Sequence, residues 1–164
     1  MVTMLEDIQR MLVREIEATI KEIELFPDDE SIWKTLPGTG NSVGNLALHI
    51  GGNLKHYIGN VLGGDGYVRD REAEFSTRWR SRADLVRELE ETKAVVLAVL
   101  PGLSEATVAD TYPETVGGVS LPCGRFLIHL CVHAAFHLGQ AGYLRRCLTA
   151  DDTSSGAISM KALA

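Results

Sequence analysis

The sequence predicts an all-α protein built as a four-helix bundle. Four long segments repeat apolar residues every third or fourth position, which is the period of an amphipathic helix. Proline or glycine follows the first three segments, and no internal repeat or low-complexity tract interrupts the pattern. At 164 residues the chain fits one domain, which we place at residues 1–150, followed by a flexible tail at 151–164.

The first two helices are predicted from their apolar stripes and their ends. The first covers residues 3–25 and ends before Pro27, because proline cannot continue a helix. The second begins after the capping candidates Asn41 and Ser42 and runs to the glycines at 63–64. The buried stripe of the first helix comprises Leu5, Ile8, Leu12, Ile16, Thr19 and Ile23.

The third and fourth helices are predicted from the same kinds of feature. The third covers residues 82–100 and ends at Pro101 and Gly102. The fourth covers residues 122–149 and is apolar around nearly its whole circumference, which predicts that it is the most buried of the four. The connection before it has a glycine pair at 117–118, which predicts a small hairpin.

The charge and hydropathy of the chain exclude several classes of function. The formal net charge is −6 and no basic face is visible, so nucleic acid is not an expected partner. No apolar run approaches the roughly 20 residues that span a bilayer. The N-terminal segment lacks the apolar centre of a signal peptide, and the three cysteines lack a paired spacing. We expect a cytoplasmic protein with no membrane partner and no disulfide.

Three of the five histidines lie four residues apart on the fourth predicted helix, in the stretch HLCVHAAFHLGQ. On a helix of 100° per residue, His129, His137 and Gln140 all fall within about 40° of His133. Apolar residues flank this narrow polar face, so we expect the imidazoles to point into the bundle. Such a face has to find partners, because an unpaired buried polar group costs about 1–3 kcal/mol.

The second predicted helix carries a matching polar stripe in LHIGGNLKHYIGN. His49, Asn53, His56 and Asn60 fall within about 60° of one another and border an apolar arc. Two inward polar faces in a small bundle suggest a shared divalent cation, held by imidazoles from facing helices. The alternative is a set of hydrogen-bonded packing histidines without metal.

The spacing of the three stacked histidines limits how many can bind one ion. His129 and His137 are separated by about 12 Å along the helix axis. Two nitrogens on the same ion, each about 2.1 Å from it, lie at most roughly 4 Å apart. An adjacent pair of these histidines is therefore the most that one helix can supply, and another ligand has to come from a second helix.

The stretch HAAFHLGQ is similar to the HxxxHxxGQ ending of the last helix in the DinB-like (DinB/YfiT-like) superfamily. Two further stretches resemble patterns of the same superfamily. NSVGNLALHIGGNLKHYI resembles its second helix, with the pattern N-S-x-x-N-x-x-x-H-x-x-G-N in one branch. RDREAEF at 69–75 resembles the R-D-R-x-x-E-F segment that follows. The resemblance implies an up-down-down-up bundle, with a crossover between the second and third long helices.

The resemblance also implies which residues hold the ion. The superfamily pattern carries over to a metal site of His49, His133 and His137, with Gln140 orienting a ligand histidine or a bound water. His129 then becomes a neighbouring or packing residue, and Asn53 and His56 become candidates for lining the pocket. For Asp70, Arg71 and Glu74 we favour a solvated ion-pair cluster, the alternative being a lid over the site.

The implied function is that of a metal-dependent enzyme acting on a small molecule, as a thiol transferase or a hydrolase. The alternative is a metal-binding or stress-related protein without catalytic activity. We expect Zn²⁺ or Ni²⁺, with Fe²⁺ or Mn²⁺ as further candidates, because imidazoles accept all four. No acidic residue shares the histidine face of the fourth helix, so the general base is not assigned.

Glycines on the second predicted helix suggest how the protein assembles. Gly44, Gly51, Lys55 and Gly59 share a face that lies away from both the apolar arc and the histidine stripe. Glycine inside a helix costs about 1 kcal/mol relative to alanine, so several on one face indicate a close helix contact. We expect a homodimer with this face as one candidate surface, the alternative being packing against a helix of the same chain.

Overall fold

The computed structural model describes residues 3–157 and 159–163, and within these ranges it is all-helical without a strand. The six α-helices are α1 (Met4–Glu24), α2 (Val43–Leu54), α3 (Arg71–Ser76), α4 (Arg82–Val99), α5 (Glu105–Ala109) and α6 (Cys123–Thr149). Short 3₁₀ turns cover Ser31–Trp33, Leu100–Gly102 and Met160–Leu163. The predicted all-α class is confirmed.

The first three long helices begin close to the predicted positions because side chains cap their first turns, whereas α6 begins after Pro122 without a side-chain cap. Thr3 and Glu6 form a capping box at the start of α1. Ser42 and Asn45 form the corresponding box at α2, and Ser81 accepts a hydrogen bond from the Asp84 amide at α4. These side chains satisfy amide groups that have no partner inside the helix.

The second long helix departs from the prediction at its C-terminal end. After α2 the chain continues as a π-helical turn over Lys55–Asn60, rather than as an α-helix to the glycines at 63–64. Backbone hydrogen bonds there span five residues, as from the Val61 amide to the His56 carbonyl at 3.0 Å. A π turn admits one extra residue and changes the direction of the side chains beyond it.

The connection between α5 and α6 doubles back at a tight turn over the predicted glycine pair. Gly117 and Gly118 both have positive φ angles, and Val116 and Val119 exchange two backbone hydrogen bonds of 3.0 Å across them. Two isolated antiparallel bridges, Val116–Val119 and Thr111–Pro122, flank this turn, so the chain doubles back as predicted although the paired residues do not form strands.

The core lies between α1, α2, α4 and α6, where α1 and α2 each pack against both α4 and α6. The predicted stripe of α1 faces this core, with Leu12, Ile16, Thr19 and Ile23 completely enclosed. The two shortest helices, α3 and α5, were absent from the prediction. Among the described helices, none combines the length and apolar character that crossing a membrane requires.

The glycine face of the second helix packs inside the chain, so it is not the dimer surface that we predicted. A Cβ on Gly51 would lie 3.2 Å from Thr92 of α4. A Cβ on Gly59 would crowd Val95 of the same helix, at 2.8 Å. Lys55 is buried and pairs with Glu88, also on α4. The close contact indicated by the glycines is therefore with a helix of the same chain.

The longest helix is less buried than its composition suggested. One face of α6 packs on the core, but the opposite face leaves large apolar side chains in solvent. An apolar run can be counted in a sequence, whereas the number of neighbouring elements that cover it cannot. The prediction that α6 is the most buried of the four long helices is therefore wrong, because every residue of α2 is buried whereas much of α6 is not.

The segment that we predicted as a flexible tail is attached at its beginning. Arg145 is completely buried on α6 and donates hydrogen bonds to the backbone carbonyls of Asp151 and Thr153. The same guanidinium forms an ion pair with buried Glu22 of α1, at 2.5 Å. A buried charge is tolerated only when it is paired in this way. The first residues after α6 are thus held against the bundle.

Candidate metal centre

Three histidines from two helices converge at one point in the bundle. His49 comes from α2, and His133 and His137 come from successive turns of α6. The Nε2 atom of His133 lies 3.2 Å from Nε2 of His49 and 3.1 Å from Nε2 of His137. One possible ligand atom from each residue falls within 4.8 Å of the others. The two separations measured from His133 are within the roughly 4 Å that two nitrogens bound to one ion can span.

The outer nitrogens of two of these imidazoles are held by acceptors. His49 Nδ1 lies 2.8 Å from Glu74 Oε2, and His137 Nδ1 lies 2.8 Å from the side-chain oxygen of Gln140. A carboxylate and an amide oxygen can only accept, so both Nδ1 atoms carry the proton. The unprotonated Nε2 atoms then face the cluster, which is the orientation that a metal ligand requires.

Glu74 reaches His49 from the short helix α3, in the segment between the second and third long helices. Arg69 forms a two-pronged ion pair with Glu74, at 2.7 and 2.8 Å. Burial alone would raise the pKa of Glu74, but hydrogen bonds from His49 and Arg69 hold that pKa below its usual value. The carboxylate is therefore charged, almost fully buried and fixed in place.

The preference for a solvated ion-pair cluster at Asp70, Arg71 and Glu74 is wrong for Glu74, which is only 5% exposed. Asp70 is exposed and caps α3 by accepting a hydrogen bond from the Ala73 amide, at 2.9 Å. Arg71 lies over the Phe75 ring, 5.1 Å from its centroid. The three residues thus build the short helix that carries Glu74.

The two stretches that follow the family patterns form one structural unit. Asn45 on α2 donates through its amide nitrogen to the carbonyl oxygens of Glu74 and Thr77, at 2.9 and 3.1 Å. The Phe75 ring lies 4.8 Å from the ring of His49. At Gly52, a Cβ would collide with the carboxylate of Glu74. The asparagine therefore anchors α3, and the glycine leaves the space in which Glu74 approaches α2.

The surroundings keep two of the imidazoles neutral. Burial, reinforced by the neighbouring His137 and His49, lowers the pKa of His133 to about 4. Burial also lowers the pKa of His137, although the hydrogen bond with Gln140 acts in the opposite direction. A neutral imidazole offers a lone pair to a cation, so both rings are ready to bind at neutral pH.

The remaining residues predicted for the site lie around the cluster rather than in it. His129 is exposed, stacks on Phe126 and has its ring centroid 6.1 Å from that of His133. Asn53 is buried one turn beyond His49, and its side-chain oxygen has no hydrogen-bond partner among the described atoms. His56 lies on the π turn and pairs with Glu114 at 3.1 Å.

Cavities adjoin the histidine face of α6 at both ends. Near Gln140, a cavity of about 380 Å³ is lined mainly by uncharged residues, including Thr39, Asn41 and Tyr143. Near His129, a cavity of about 200 Å³ is lined by Tyr112, Glu114 and Phe126 among others and contains the carboxylate that pairs with His56. A small organic molecule therefore has space beside Gln140 and beside His129, the two residues that follow and precede the clustered histidines on α6.

Sequence reasoning missed Arg69 and Phe75 and underestimated Glu74. The signal was present, because all three lie in the segment RDREAEF that matches a family pattern. A profile of the DinB superfamily matches residues 11–141, which is more than half of the chain and includes all three clustered histidines together with α3. The chain therefore belongs to the DinB superfamily.

Proposed function

We propose that this protein is a metal-dependent enzyme that binds one divalent cation through His49, His133 and His137. The observation that carries the proposal is the convergence of three imidazole Nε2 atoms, two of them with Nδ1 held by acceptors. Hydrogen bonding alone leaves repulsion between lone pairs, because His133 Nε2 can donate at most one proton and so can serve only one of the two unprotonated Nε2 atoms directed at it. A shared cation removes that repulsion and satisfies all three at once.

The donor set fits several ions. We propose Zn²⁺ or Ni²⁺ first and Fe²⁺ or Mn²⁺ as further candidates, because neutral imidazole binds each of them. Three protein ligands leave a coordination position for water or substrate, which is typical of reactive rather than structural zinc sites. The unpartnered oxygen of Asn53 supports this, since it offers an acceptor to a group bound beside the histidines.

Among small-molecule reactions we place thiol transfer first and hydrolysis second. A bound divalent cation would supply a thiolate or an activated water at neutral pH. Glu74 is already paired with Arg69 and His49, so its role is to hold His49 in position rather than to accept a proton. His56, paired with Glu114, is the remaining candidate base beside the cluster. Transfer of a thiolate to an electrophilic carbon needs no base for water, which favours it.

The proposal also covers the order of the helices, the location of the protein and its partners. We infer an up-down-down-up order of the four long helices, supported by the length of chain between residues 64 and 81 that joins the second to the third. We also propose that the protein works in the cytoplasm on a small molecule, without nucleic acid or membrane. A metal-binding or stress-related protein without catalysis is the alternative.

The proposal is tested by metal content and turnover together. Protein purified without an affinity tag should contain about one divalent ion per chain by elemental analysis, and EDTA should lower its melting temperature, because a ligand at a hundred times its dissociation constant stabilises by about 2.7 kcal/mol. A panel of thiol-acceptor pairs and esters should then show metal-dependent turnover. Bound metal without turnover would establish the non-catalytic alternative, and absence of bound metal would refute both.

Substitution of Gly52 tests the link between α3 and the cluster. In Gly52→Ala the new methyl group should displace the Glu74 carboxylate and release His49 Nδ1, so metal affinity should fall by about tenfold to a hundredfold. Metal titration of the apo protein measures this change. Gly102→Ala is the matched control, because a Cβ there meets nothing within 4 Å. Equal affinities in the two variants would contradict the role of Glu74.

A further inference from the structure

A cavity of about 390 Å³ lies between α1, α6 and the segment that follows α6, and we call it the C-terminal cavity. Its lining includes Glu15 and Glu22 of α1, Gly139 and Arg146 of α6, and Ser155 of the segment after α6. None of the three clustered histidines is among the described residues that line it. Its volume falls within the range of about 300–1,000 Å³ that is typical of sites for small organic molecules.

The two buried carboxylates of the C-terminal cavity already have partners inside the chain. Glu15 is 3% exposed and accepts two hydrogen bonds from Arg14, at 3.0 and 2.5 Å. Glu22 is 1% exposed and pairs with Arg145 at 2.5 Å. A buried carboxylate needs such a partner, so Arg14 and Arg145 are engaged within the protein.

Arg146 also lines the C-terminal cavity and differs from these two arginines. Its Nε atom is enclosed and has no hydrogen-bond partner among the described atoms. Within residues 3–157 and 159–163 its guanidinium forms no ion pair. A guanidinium stays charged and can only donate, and an enclosed donor without an acceptor is unfavourable. Arg146 is therefore the charged group of this cavity that is available to an anion.

The C-terminal cavity provides space and a further donor for such an anion. A Cβ on Gly139, two turns before Arg146, would meet nothing within 4 Å although this glycine lies in the middle of α6. Ser155 forms no hydrogen bond within the described ranges, so its hydroxyl and its backbone amide can donate. Arg145 holds the segment that carries Ser155 through two hydrogen bonds to backbone carbonyls. The cavity thus has a fixed wall on the side of this serine.

We propose that the C-terminal cavity binds a small organic molecule through one carboxylate group, which pairs with Arg146 and has Ser155 as a further donor. One unmatched guanidinium suits one negative charge, and its parallel N–H groups suit the two oxygens of a carboxylate. A phosphate group carries about two negative charges at pH 7, so Glu15 and Glu22 would repel it more strongly. This proposal is independent of the metal site and of any catalytic activity.

An NMR titration of the full chain with benzoate tests the proposal. Benzoate should bind at one site with a dissociation constant of about 1 mM, as expected for so small a ligand, and should shift the amide signals of Gly139 and Ser155. Arg146→Gln should raise that dissociation constant by about tenfold to a hundredfold, because it removes a charged hydrogen-bond donor. Arg125→Gln is the matched control, since it removes an exposed arginine of the same helix that lies outside the cavity. Inorganic phosphate should bind more weakly than benzoate.

Two further variants separate the C-terminal cavity from other sites for a carboxylate. Gly139→Leu should fold, because leucine favours a helix and its Cβ enters open space, yet it should block benzoate by filling the cavity. His133→Ala should bind benzoate as the wild type does, because it alters only the histidine cluster. Loss of benzoate binding in His133→Ala would overturn the proposal by assigning the carboxylate to the cluster.

Three other results would overturn the proposal as well. The first is a wild-type chain without a saturable shift at benzoate concentrations of about 10 mM, ten times the expected dissociation constant. The second is binding that is unchanged in both Arg146→Gln and Gly139→Leu. The third is tighter binding of phosphate than of benzoate, which would contradict the assignment of a singly charged ligand.

Discussion

His133→Ala should abolish stoichiometric metal binding. His133 is the middle member of the cluster, with its Nε2 atom 3.2 Å from that of His49 and 3.1 Å from that of His137. Its removal leaves two imidazoles without the ligand that joins them. Elemental analysis should fall from about one ion per chain to background. His49→Ala and His137→Ala should have the same effect, because the proposed site needs a ligand from each position.

His129→Ala is the matched control for these variants. It removes an imidazole from the same face of α6, but this ring is exposed and its centroid lies 6.1 Å from that of His133. Metal binding should therefore weaken only slightly. Loss of the ion in His129→Ala, together with its retention in His49→Ala, would place the site one turn nearer the start of α6 and would refute the proposed ligand set.

The metal-free protein offers a second measurement on His133→Ala. The folded protein holds the pKa of His133 at about 4, below the value of about 6.5 expected for an unfolded chain. The unfolded state then binds more protons between these values, so the free energy of unfolding falls as the pH drops from about 6.5 towards about 4. His133→Ala should remove this part of the acid sensitivity. Urea unfolding across that pH range measures it.

Arg145→Ala should lower the free energy of unfolding by about 3–5 kcal/mol, the usual cost of leaving one member of a buried ion pair without its partner. Arg145 is 0% exposed and Glu22, at 2.5 Å, is 1% exposed. The variant also loses the hydrogen bonds that hold the backbone at Asp151 and Thr153. In a chain of this size the melting temperature should fall by about 10 °C.

Arg125→Ala is the control for this second prediction. Arg125 lies on the same helix but is exposed, so its loss should change the free energy of unfolding by less than about 0.5 kcal/mol. The double variant Glu22→Leu with Arg145→Met should recover most of the stability, because it removes both charges together. A cost in Arg145→Ala no larger than that in Arg125→Ala would show that the pair is not a structural determinant.

The long helices could be predicted because the sequence features that define each of them lie within that helix or directly beside it. The first three have an apolar period, a capping residue such as Ser42 or Ser81 and a proline or glycine near the end, whereas α6 was predicted from its apolar residues alone. The six-residue helix α3 has no measurable period, and the contacts that hold it come from Asn45 and His49 in another part of the sequence. The π turn after α2 depends on hydrogen-bond register, which leaves no mark in the pattern of apolar residues.

The candidate site was predicted in part for the same reason. Helical spacing placed His129, His133, His137 and Gln140 on one face and His49 on a matching polar stripe, and the family pattern then selected His49, His133 and His137 as the ligands. The roles of Glu74 and Gly52 follow from a contact between distant segments, which spacing alone does not show. The burial of α6 was predicted least accurately. Its apolar composition predicted an enclosed helix, whereas Val132 and Phe136 lie in solvent.

Glu74 is carried by a short helix, and the lifetime of that helix determines how long His49 is held in place in the histidine cluster. A helix of six residues has no stability by itself, so α3 stays formed only while Asn45, Arg69 and His49 hold it. Segments of this kind detach and reattach far more often than the whole protein unfolds. Each detachment would leave His49 free to turn, so the residence time of a bound ion would follow the opening rate of α3.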